Sequence, residues 1–181
     1  MKRSKSDGGP TESLLIITGT MGAGKTAVLG EAADILAMRQ IVHAAIDLDS
    51  LGVGHLPSAA FRDGVMHDNL RSICGNYAAL GVQRFLLARA IEDDGQLKVC
   101  RDIIPAANTV VCRLTASIET MKRRIEMRDL GILQQEYIAR VTELNTILDR
   151  AQLEHFAVAN ENRPLNEVAL EMLLKAGWIS N

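Results

Sequence analysis

The sequence predicts a three-layer α/β domain whose centre is a parallel sheet of about five strands. Short apolar runs alternate along the chain with amphipathic segments, and the runs lack the polar alternation of a strand with one face in water. The length of 181 residues, with 48% hydrophobic and 23% charged residues, suits one globular domain with a substantial core. Strand–helix alternation of this kind indicates βαβ units with helices on both faces of the sheet.

The order of the elements follows from these patterns. The predicted strands are the five apolar runs at residues 14–17, 43–46, 84–88, 109–112 and 156–159. The predicted helices are the periodic segments at residues 25–39, 59–80, 117–128, 136–151 and 165–175. Ser117 is a candidate N-cap, and Gly177 is a stop signal after the last helix. The polar segment 1–12 is expected to be a disordered tail before a single domain at 13–181.

Composition narrows the classes of function. The 20 basic and 22 acidic side chains leave a formal net charge of −2, which argues against a globally basic nucleic-acid binder. No apolar stretch is long enough for a membrane span, and the N-terminus lacks the apolar core of a secretory signal. Cys74, Cys100 and Cys112 form no C-x-x-C pair, which is typical of a reducing compartment. We therefore expect a cytoplasmic protein without nucleic-acid or membrane partners.

A phosphate-binding loop is predicted between the first strand and the first helix. Residues 19–26 read GTMGAGKT and match the pattern G-x-x-x-x-G-K-[ST] at every fixed position. Glycines allow backbone N–H groups to turn inward around phosphates, and the start of the helix adds a positive dipole end. The predicted nucleotide-binding residues of the loop are Gly19, Met21, Gly22, Ala23, Gly24, Lys25, Thr26 and Ala27.

Two side chains of this loop have chemical roles in the prediction. Lys25 has the position that bridges the β- and γ-phosphates of ATP, and Thr26 has the hydroxyl that is offered to Mg²⁺. The alternative is an ordinary glycine-rich turn between a strand and a helix. The full match to the pattern, together with its strand–helix context, favours ATP and Mg²⁺ as cofactors.

An acidic pair follows the second predicted strand. Asp47 and Asp49 are two residues apart, so on an extended segment they share a face and can converge on one Mg²⁺ or one acceptor hydroxyl. Strand ends in an open α/β sheet also point into the binding crevice. One carboxylate would orient or deprotonate the acceptor while the other would hold the metal, with Asp47 paired with Thr26 in the predicted metal site. Either residue can be the base, and a solvated loop with capping carboxylates is the alternative.

A basic segment runs from Arg113 to Arg128, with five Lys or Arg residues against two Glu. We expect this segment to face the phosphate loop. Arg124 and Arg128 are four residues apart and therefore lie on one face of a helix. Their guanidinium groups suit stacking on adenine and stabilising charge on the transferred phosphoryl group, so both are candidate catalytic residues. A solvated basic face is the alternative, particularly for Lys122 and Arg123.

Two further arginines are candidate substrate-binding residues, together with Asp49. Arg89 lies at the end of the third strand, and Arg71 lies on the predicted helix 59–80. Both positions suit contact with an anionic or hydroxylated acceptor. A surface ion pair is the alternative for Arg71.

The chain resembles a group of small P-loop kinases that includes gluconate, shikimate and adenylylsulfate kinases. The resemblance covers roughly residues 14–177, and its motifs are the phosphate loop, the acidic pair and the R-x-x-x-R spacing of Arg124 and Arg128. Residues 158–161, VANE, are similar to the strand and turn that lie against adenine in that group, which implies a nucleotide contact at Asn160. The resemblance implies the P-loop nucleoside-triphosphate hydrolase fold, with a parallel sheet in the order 2-3-1-4-5.

Other segments bear on the acceptor. Residues 116–124 and 160–168 resemble the tunicamycin-resistance P-loop proteins, which implies a possible role in antibiotic or nucleoside modification. Residues 89–92, RAIE, stand where shikimate kinases have a glycine-rich turn and gluconate kinases have a Lys-Arg signature. The resemblance therefore implies nucleotide use more directly than it implies any named acceptor.

These observations favour an ATP- and Mg²⁺-dependent phosphotransferase that moves the γ-phosphate to a hydroxyl of a small metabolite or antibiotic. The alternative is a nucleotide-gated regulatory ATPase or partner-binding switch. The third predicted strand runs into Arg89 and lacks the terminal acidic residue that such switches use for Mg²⁺ and water, which favours the kinase. Residue patterns leave open the identity of the acceptor and the oligomeric state.

Overall fold

The computed structural model describes residues 11–54, 58–128 and 131–180. The elements in chain order are β1 (Thr11–Thr18), α1 (Lys25–Met38), β2 (Ala44–Asp47), a 3₁₀ turn (Leu48–Gly52), α2 (Ala59–Ala78), β3 (Arg84–Ala88), α3 (Asp94–Ile103), β4 (Ala106–Thr115), α4 (Ile118–Arg128), α5 (Ile132–Ala151), β5 (Phe156–Ala159) and α6 (Leu165–Lys175).

The strands form one parallel sheet in the order β2-β3-β1-β4-β5. The central strand β1 pairs with β3 through residues 13–17 and with β4 through residues 11–18. Both the predicted fold class and the order of the strands are confirmed. Because all five strands run in one direction, their carboxyl ends meet at one edge, where the loops that follow them converge.

Helices cover both faces of the sheet, which explains why the strands are continuously apolar. Leu15 and Ile17 of β1 belong to a core with residues of α1, α4, α5 and α6. Leu14 and Ile16 point the other way, into a second core with residues of α2 and α3. Alternate residues of one strand therefore serve two cores, and both cores hold β1 beneath the phosphate loop.

The structure differs from the prediction at several places, among them β4, which extends over Ala106–Thr115 rather than over residues 109–112. Helix α3, of ten residues, was not predicted, although Leu97 and Cys100 lie three residues apart on its buried face, which is the spacing of a short amphipathic helix. Its start is fixed by Asp93, whose side chain accepts a hydrogen bond from the backbone N–H of Gln96 at 2.8 Å. Helix α5 begins at Ile132 rather than at residue 136. Strand β1 begins at Thr11, two residues inside the predicted tail, and residues 1–10 lie outside the described part.

The three cysteines are buried thiols. Burial raises the pKa of Cys74 to about 12, of Cys100 to about 11 and of Cys112 to about 12. All three therefore remain protonated and act as small apolar side chains of the core. Among the helices that the structure describes, none has the length and apolar character needed to cross a bilayer.

Candidate active site

The phosphate loop connects the carboxyl end of β1 to the start of α1, and its glycines are required by close packing. Gly22 has a φ of 76° and Gly24 a φ of 94°, both in the left-handed region that other residues rarely adopt. A Cβ atom at Gly22 would collide with the backbone carbonyl of Met121 in α4. A Cβ atom at Gly24 would collide with the side-chain amide of Asn160. The loop is therefore shaped jointly by its own backbone and by the elements packed against it.

Lys25 opens α1 with its amine folded back onto the loop. Its Nζ donates a hydrogen bond to the backbone carbonyl of Thr20 at 3.2 Å. Desolvation lowers the pKa of Lys25, although the nearby carboxylates of Asp49 and Asp47 oppose this effect. The positive charge of Arg128 adds to the lowering, so α4 brings that arginine within electrostatic range of the lysine. An anion bound in the loop would relieve the cost of the desolvated ammonium.

Thr26 and Asp47 meet across the gap between α1 and β2. The Thr26 hydroxyl donates a hydrogen bond to Asp47 Oδ2 at 2.6 Å, and Asp47 Oδ1 accepts one from the backbone N–H of Asp49 at 3.1 Å. The hydroxyl and carboxylate oxygens are the hard donors that Mg²⁺ prefers. The described residues include no group of three or more His, Cys, Asp or Glu side chains that could hold a metal ion. This pair fits a cation that keeps water and phosphate oxygens as its other ligands.

Asp49 lies in the 3₁₀ turn, on the same edge of the sheet as Arg89. The backbone N–H of Arg89 donates to the carbonyl of Ile17 at 3.1 Å, which holds the residue at the end of β3. Arg89 Nη1 lies 3.8 Å from Asp49 Oδ1, and Nη2 lies 3.5 Å from Asp63 Oδ1 of α2. Nη1 also contacts the sulfur of Met66. The structure thus brings together Asp49 and Arg89, two of the candidate substrate-binding residues, and adds Asp63 to them.

Arg124 connects the loop to the end of β5. Its Nη1 donates to the carbonyl of Gly22 at 3.1 Å, and its Nη2 donates to the carbonyl of Asn160 at 2.8 Å. The two residues that it contacts, Gly22 and Asn160, are both predicted nucleotide-binding residues. Arg124 therefore acts in this structure as a brace that holds α4 against the phosphate loop.

Asn160 follows β5 and is almost completely buried, with 5% of its surface exposed. Its backbone N–H donates to the carbonyl of Thr115 at 2.8 Å, and its side-chain Nδ2 donates to the carbonyl of Ala23 at 2.7 Å. This side chain fixes the backbone of the loop from the side opposite the acidic pair. Met21 packs partly buried against the larger core, whereas Ala27 is exposed on the first turn of α1.

Two arginines of the sequence prediction lie elsewhere. Arg71 donates to Asp68 at 2.8 Å on the exposed side of α2 and is 62% exposed, which favours the surface ion pair over a role in substrate binding. Arg113 does not face the phosphate loop as part of a basic segment. It is buried in β4, where it pairs with Asp149 at 2.7 Å and Glu154 at 3.5 Å. The basic segment 113–128 combines one residue of β4, Arg113, with four basic residues of α4. The side chain of Arg113 points towards α5.

Two acidic residues that the sequence did not single out shape this region. Glu161 accepts hydrogen bonds from the backbone N–H of Ser117 at 3.0 Å, from the Ser117 hydroxyl at 2.6 Å and from the Thr120 hydroxyl. These bonds lower the pKa of Glu161 to about 2 and tie the start of α4 to the turn after β5. Ser117 also accepts from the N–H of Thr120 at 3.2 Å, which confirms it as the N-cap. The second acidic residue is Asp63, the partner of Arg89 on α2.

Several solved structures are similar to this chain. An APS kinase from Mycobacterium tuberculosis, in complex with AMPPNP and APS, is 19% identical, with a TM-score of 0.63 and coverage of 94% of this chain and 100% of that chain. A gluconokinase from Sinorhizobium meliloti 1021 is 16% identical, with a TM-score of 0.62 and 94% coverage of each chain. A shikimate kinase from Acinetobacter baumannii, in complex with shikimate, is 15% identical, with a TM-score of 0.59 and coverage of 93% and 96%.

No family model and no curated protein matches the chain. The structural similarity shows that the chain has the fold of the P-loop small-molecule kinases. The site residues described above lie at the carboxyl edge of the sheet, where folds of this kind bind their ligands.

Proposed function

We propose that this chain, with the fold of P-loop small-molecule kinases, is an ATP- and Mg²⁺-dependent phosphotransferase that acts on a hydroxyl of a small metabolite or antibiotic. The observation that carries the proposal is the hydrogen bond of 2.6 Å between Thr26 and Asp47 beside Lys25. It joins the end of the phosphate loop to the end of β2, where Asp49 follows. The residues proposed to bind nucleotide and those proposed to bind the acceptor are thus neighbours at one edge of the sheet.

On the nucleotide side, the loop backbone from Gly19 to Gly24 binds the phosphates through its N–H groups. Lys25 would offer its ammonium to the β- and γ-phosphate oxygens, which would compensate for its desolvation. Thr26 and Asp47, joined by their hydrogen bond, would hold Mg²⁺ through their oxygens. When bound, Mg²⁺ supplies positive charge that neutralises the phosphate oxygens during transfer.

On the acceptor side, Asp49 is the residue that orients or deprotonates the hydroxyl. Both oxygens of Asp47 are engaged, one by Thr26 and the other by the N–H of Asp49. The Asp49 carboxylate is 64% exposed and faces Arg89, so it is open to an entering molecule. We assign the metal to Asp47 and the acceptor hydroxyl to Asp49 because Asp47, and not Asp49, is bonded to the Thr26 hydroxyl.

The helix α4 supplies the remaining positive charge. Arg128 lies close enough to Lys25 to affect its pKa, so we assign it to the transferred phosphoryl group. Arg124 and Asn160 position the loop, and we assign both to the adenine side of the nucleotide. With one Trp, two Tyr and three Phe in the whole chain, Arg124 is the proposed stacking surface for adenine.

The chain is further proposed to work as one cytoplasmic domain over residues 13–181 with a small-molecule partner. Both cores share the same sheet, which supports a single folding unit. The three buried, protonated cysteines support a reducing compartment.

The test is acceptor-dependent release of ADP from Mg²⁺ and ATP in a screen of small hydroxylated compounds. Asp49→Asn is expected to bind AMPPNP like the wild type but to lose at least about a hundredfold in acceptor-dependent turnover. The control is Asp102→Asn, because Asp102 is an exposed carboxylate that pairs with Lys98 on α3, away from the loop. Unchanged turnover by Asp49→Asn contradicts its role. ADP release that responds to a protein partner and to no acceptor supports the switch instead.

A further inference from the structure

We propose that the acceptor side of the site selects hydroxyl compounds that carry no acidic group, and that Asp63 sets this selectivity by holding the guanidinium of Arg89. The proposal rests on the kinase function proposed above and names the chemical class of its acceptor. It makes Asp63, a residue of α2 outside every recognised motif, a specificity-determining residue.

Arg89 is held on both sides of its guanidinium group. Its Nη1 faces Asp49 at 3.8 Å and contacts the sulfur of Met66, while its Nη2 faces Asp63 at 3.5 Å. The side chain is 18% exposed, so little of it is open to an entering molecule. An arginine that recognises a carboxylate needs two free N–H groups in its planar fork. Here Nη1 contacts the sulfur of Met66, and Nη1 and Nη2 lie within ion-pair distance of the protein's own carboxylates, Asp49 and Asp63.

The guanidinium of Arg89 carries one positive charge between two carboxylates, those of Asp49 and Asp63. Asp49 is 64% exposed and Asp63 is 49% exposed, and both are more accessible than the guanidinium that they share. Burial and the nearby charge of Arg89 lower the pKa of His67, so this neighbour is uncharged at neutral pH. Burial raises the pKa of the Cys100 thiol to about 11, although the charge of Arg89 opposes this effect. The thiol is therefore also uncharged at neutral pH. An entering acceptor therefore meets carboxylate oxygens first.

This arrangement discriminates by repulsion. An acceptor with a carboxylate must displace Asp63 from Arg89, and the displaced carboxylate is then left without its cation. An acceptor with hydroxyl groups can donate hydrogen bonds to Asp49 and Asp63 without breaking either ion pair. An acceptor with an ammonium group gains from the same two carboxylates. Uncharged and cationic hydroxyl compounds are thus favoured over acidic ones.

The test compares three pools of compounds, which are uncharged sugars and polyols, amino sugars and amino alcohols, and sugar acids. Acceptor-dependent ADP release and calorimetric binding in the presence of Mg²⁺ and AMPPNP are measured for the wild type, for Asp63→Asn and for Asp68→Asn. Asp68 is the matched control, because it is an exposed carboxylate of the same helix that pairs with Arg71.

The wild type is expected to use the uncharged or amino pools at least about tenfold better than the acid pool. Asp63→Asn is expected to reduce that ratio at least about tenfold by raising activity on sugar acids, whereas Asp68→Asn leaves it unchanged. A wild type that prefers sugar acids, or a ratio that Asp63→Asn does not move, overturns the proposal.

The binding measurement separates this proposal from the kinase function. If AMPPNP binds but no pool releases ADP, the kinase function fails, and binding alone then decides the selectivity. Tighter binding of sugar acids to Asp63→Asn than to the wild type supports the proposal. Equal binding of sugar acids to both, or no binding of any pool to either, overturns it.

Discussion

The side-chain amide of Asn160 occupies the space that a Cβ atom at Gly24 would need. The same amide donates to the carbonyl of Ala23, so a change at Gly24 also threatens a buried hydrogen bond. Gly24 has a φ of 94° as the N-cap of α1, whereas Gly30 lies within the helix with open space around it. A side chain is therefore excluded at Gly24 by backbone conformation and by Asn160, whereas Gly30 has room for one.

We expect Gly24→Ala to lower the free energy of unfolding by about 2–4 kcal/mol, because it combines left-handed strain with displacement of a buried amide. AMPPNP affinity should fall at least about tenfold. The control, Gly30→Ala, should raise stability by about 0.5–1 kcal/mol by improving helix propensity. Urea unfolding and calorimetry measure both effects. Equal stability of the two variants would contradict the packing described for Asn160.

The substitution Lys25→Met should separate stability from binding. Desolvation lowers the pKa of Lys25, which means that the ammonium is less stable in the folded loop than in water. Removing the charge is therefore expected to leave the unfolding free energy unreduced while AMPPNP affinity falls at least about a hundredfold. Lys98→Met, at an exposed lysine paired with Asp102, should leave affinity unchanged. A large loss of stability in Lys25→Met would show that the Lys25 ammonium stabilises the folded loop, contrary to this expectation.

Glu161 predicts a dependence of stability on pH. Its folded pKa of about 2 lies below the ordinary value of 4.5, so the folded state binds fewer protons than the unfolded state between these values. The stabilisation is fully present above about pH 4.5 and is lost as the pH falls towards about 2. The difference in unfolding free energy between wild type and Glu161→Gln should therefore shrink from about pH 6 to about pH 3.

This difference is measured by urea unfolding at several pH values. Glu167→Gln, in the first turn of α6, is the control for the loss of one negative charge. A difference between wild type and Glu161→Gln that stays constant with pH would show that the carboxylate does not anchor α4 through its charge.

Arg113 should affect stability and leave nucleotide binding intact. We expect Arg113→Met to cost about 2–4 kcal/mol, because it removes the buried cation of an ion pair with Asp149 and Glu154. Both carboxylates are partly in water, which keeps the loss below that of a fully buried pair. AMPPNP affinity should not change. Arg123→Met, at an exposed position of the same basic run, should change stability by less than about 0.5 kcal/mol. If Arg113→Met instead lowered AMPPNP affinity and left the unfolding free energy unchanged, Arg113 would belong to the nucleotide-binding site.

Local patterns predicted the parts of the site that depend on neighbours in sequence. The phosphate loop follows from one motif, and the meeting of Asp47 with Thr26 follows from the rule that parallel strands end at one edge. The same approach misplaced Arg113, because a count of charges along the chain ignores the boundary between β4 and α4.

Residues whose roles depend on tertiary packing carried no such signal. Asp63 lies in the first turns of a helix, and only the packing of α2 against the end of β3 brings it to Arg89. Glu161 lies in a turn and accepts a hydrogen bond from the backbone N–H of Ser117, which is 44 positions earlier in the chain. Such pairings become visible only when the two elements are placed in space.

The position of β1 at the middle of the sheet divides the edge into two halves. The groups after β2 and β3, with Asp49 and Arg89, lie on one side of the phosphate loop, and those after β4 and β5, with Arg124 and Asn160, lie on the other. The contacts described for Arg89 stay within the first half, and those described for Arg124 and Asn160 join the second half to the phosphate loop. Under the proposed function, replacements in α2 and in the loop after β3 would alter the choice of acceptor, while Asp47, Arg124 and Asn160 keep the nucleotide side unchanged.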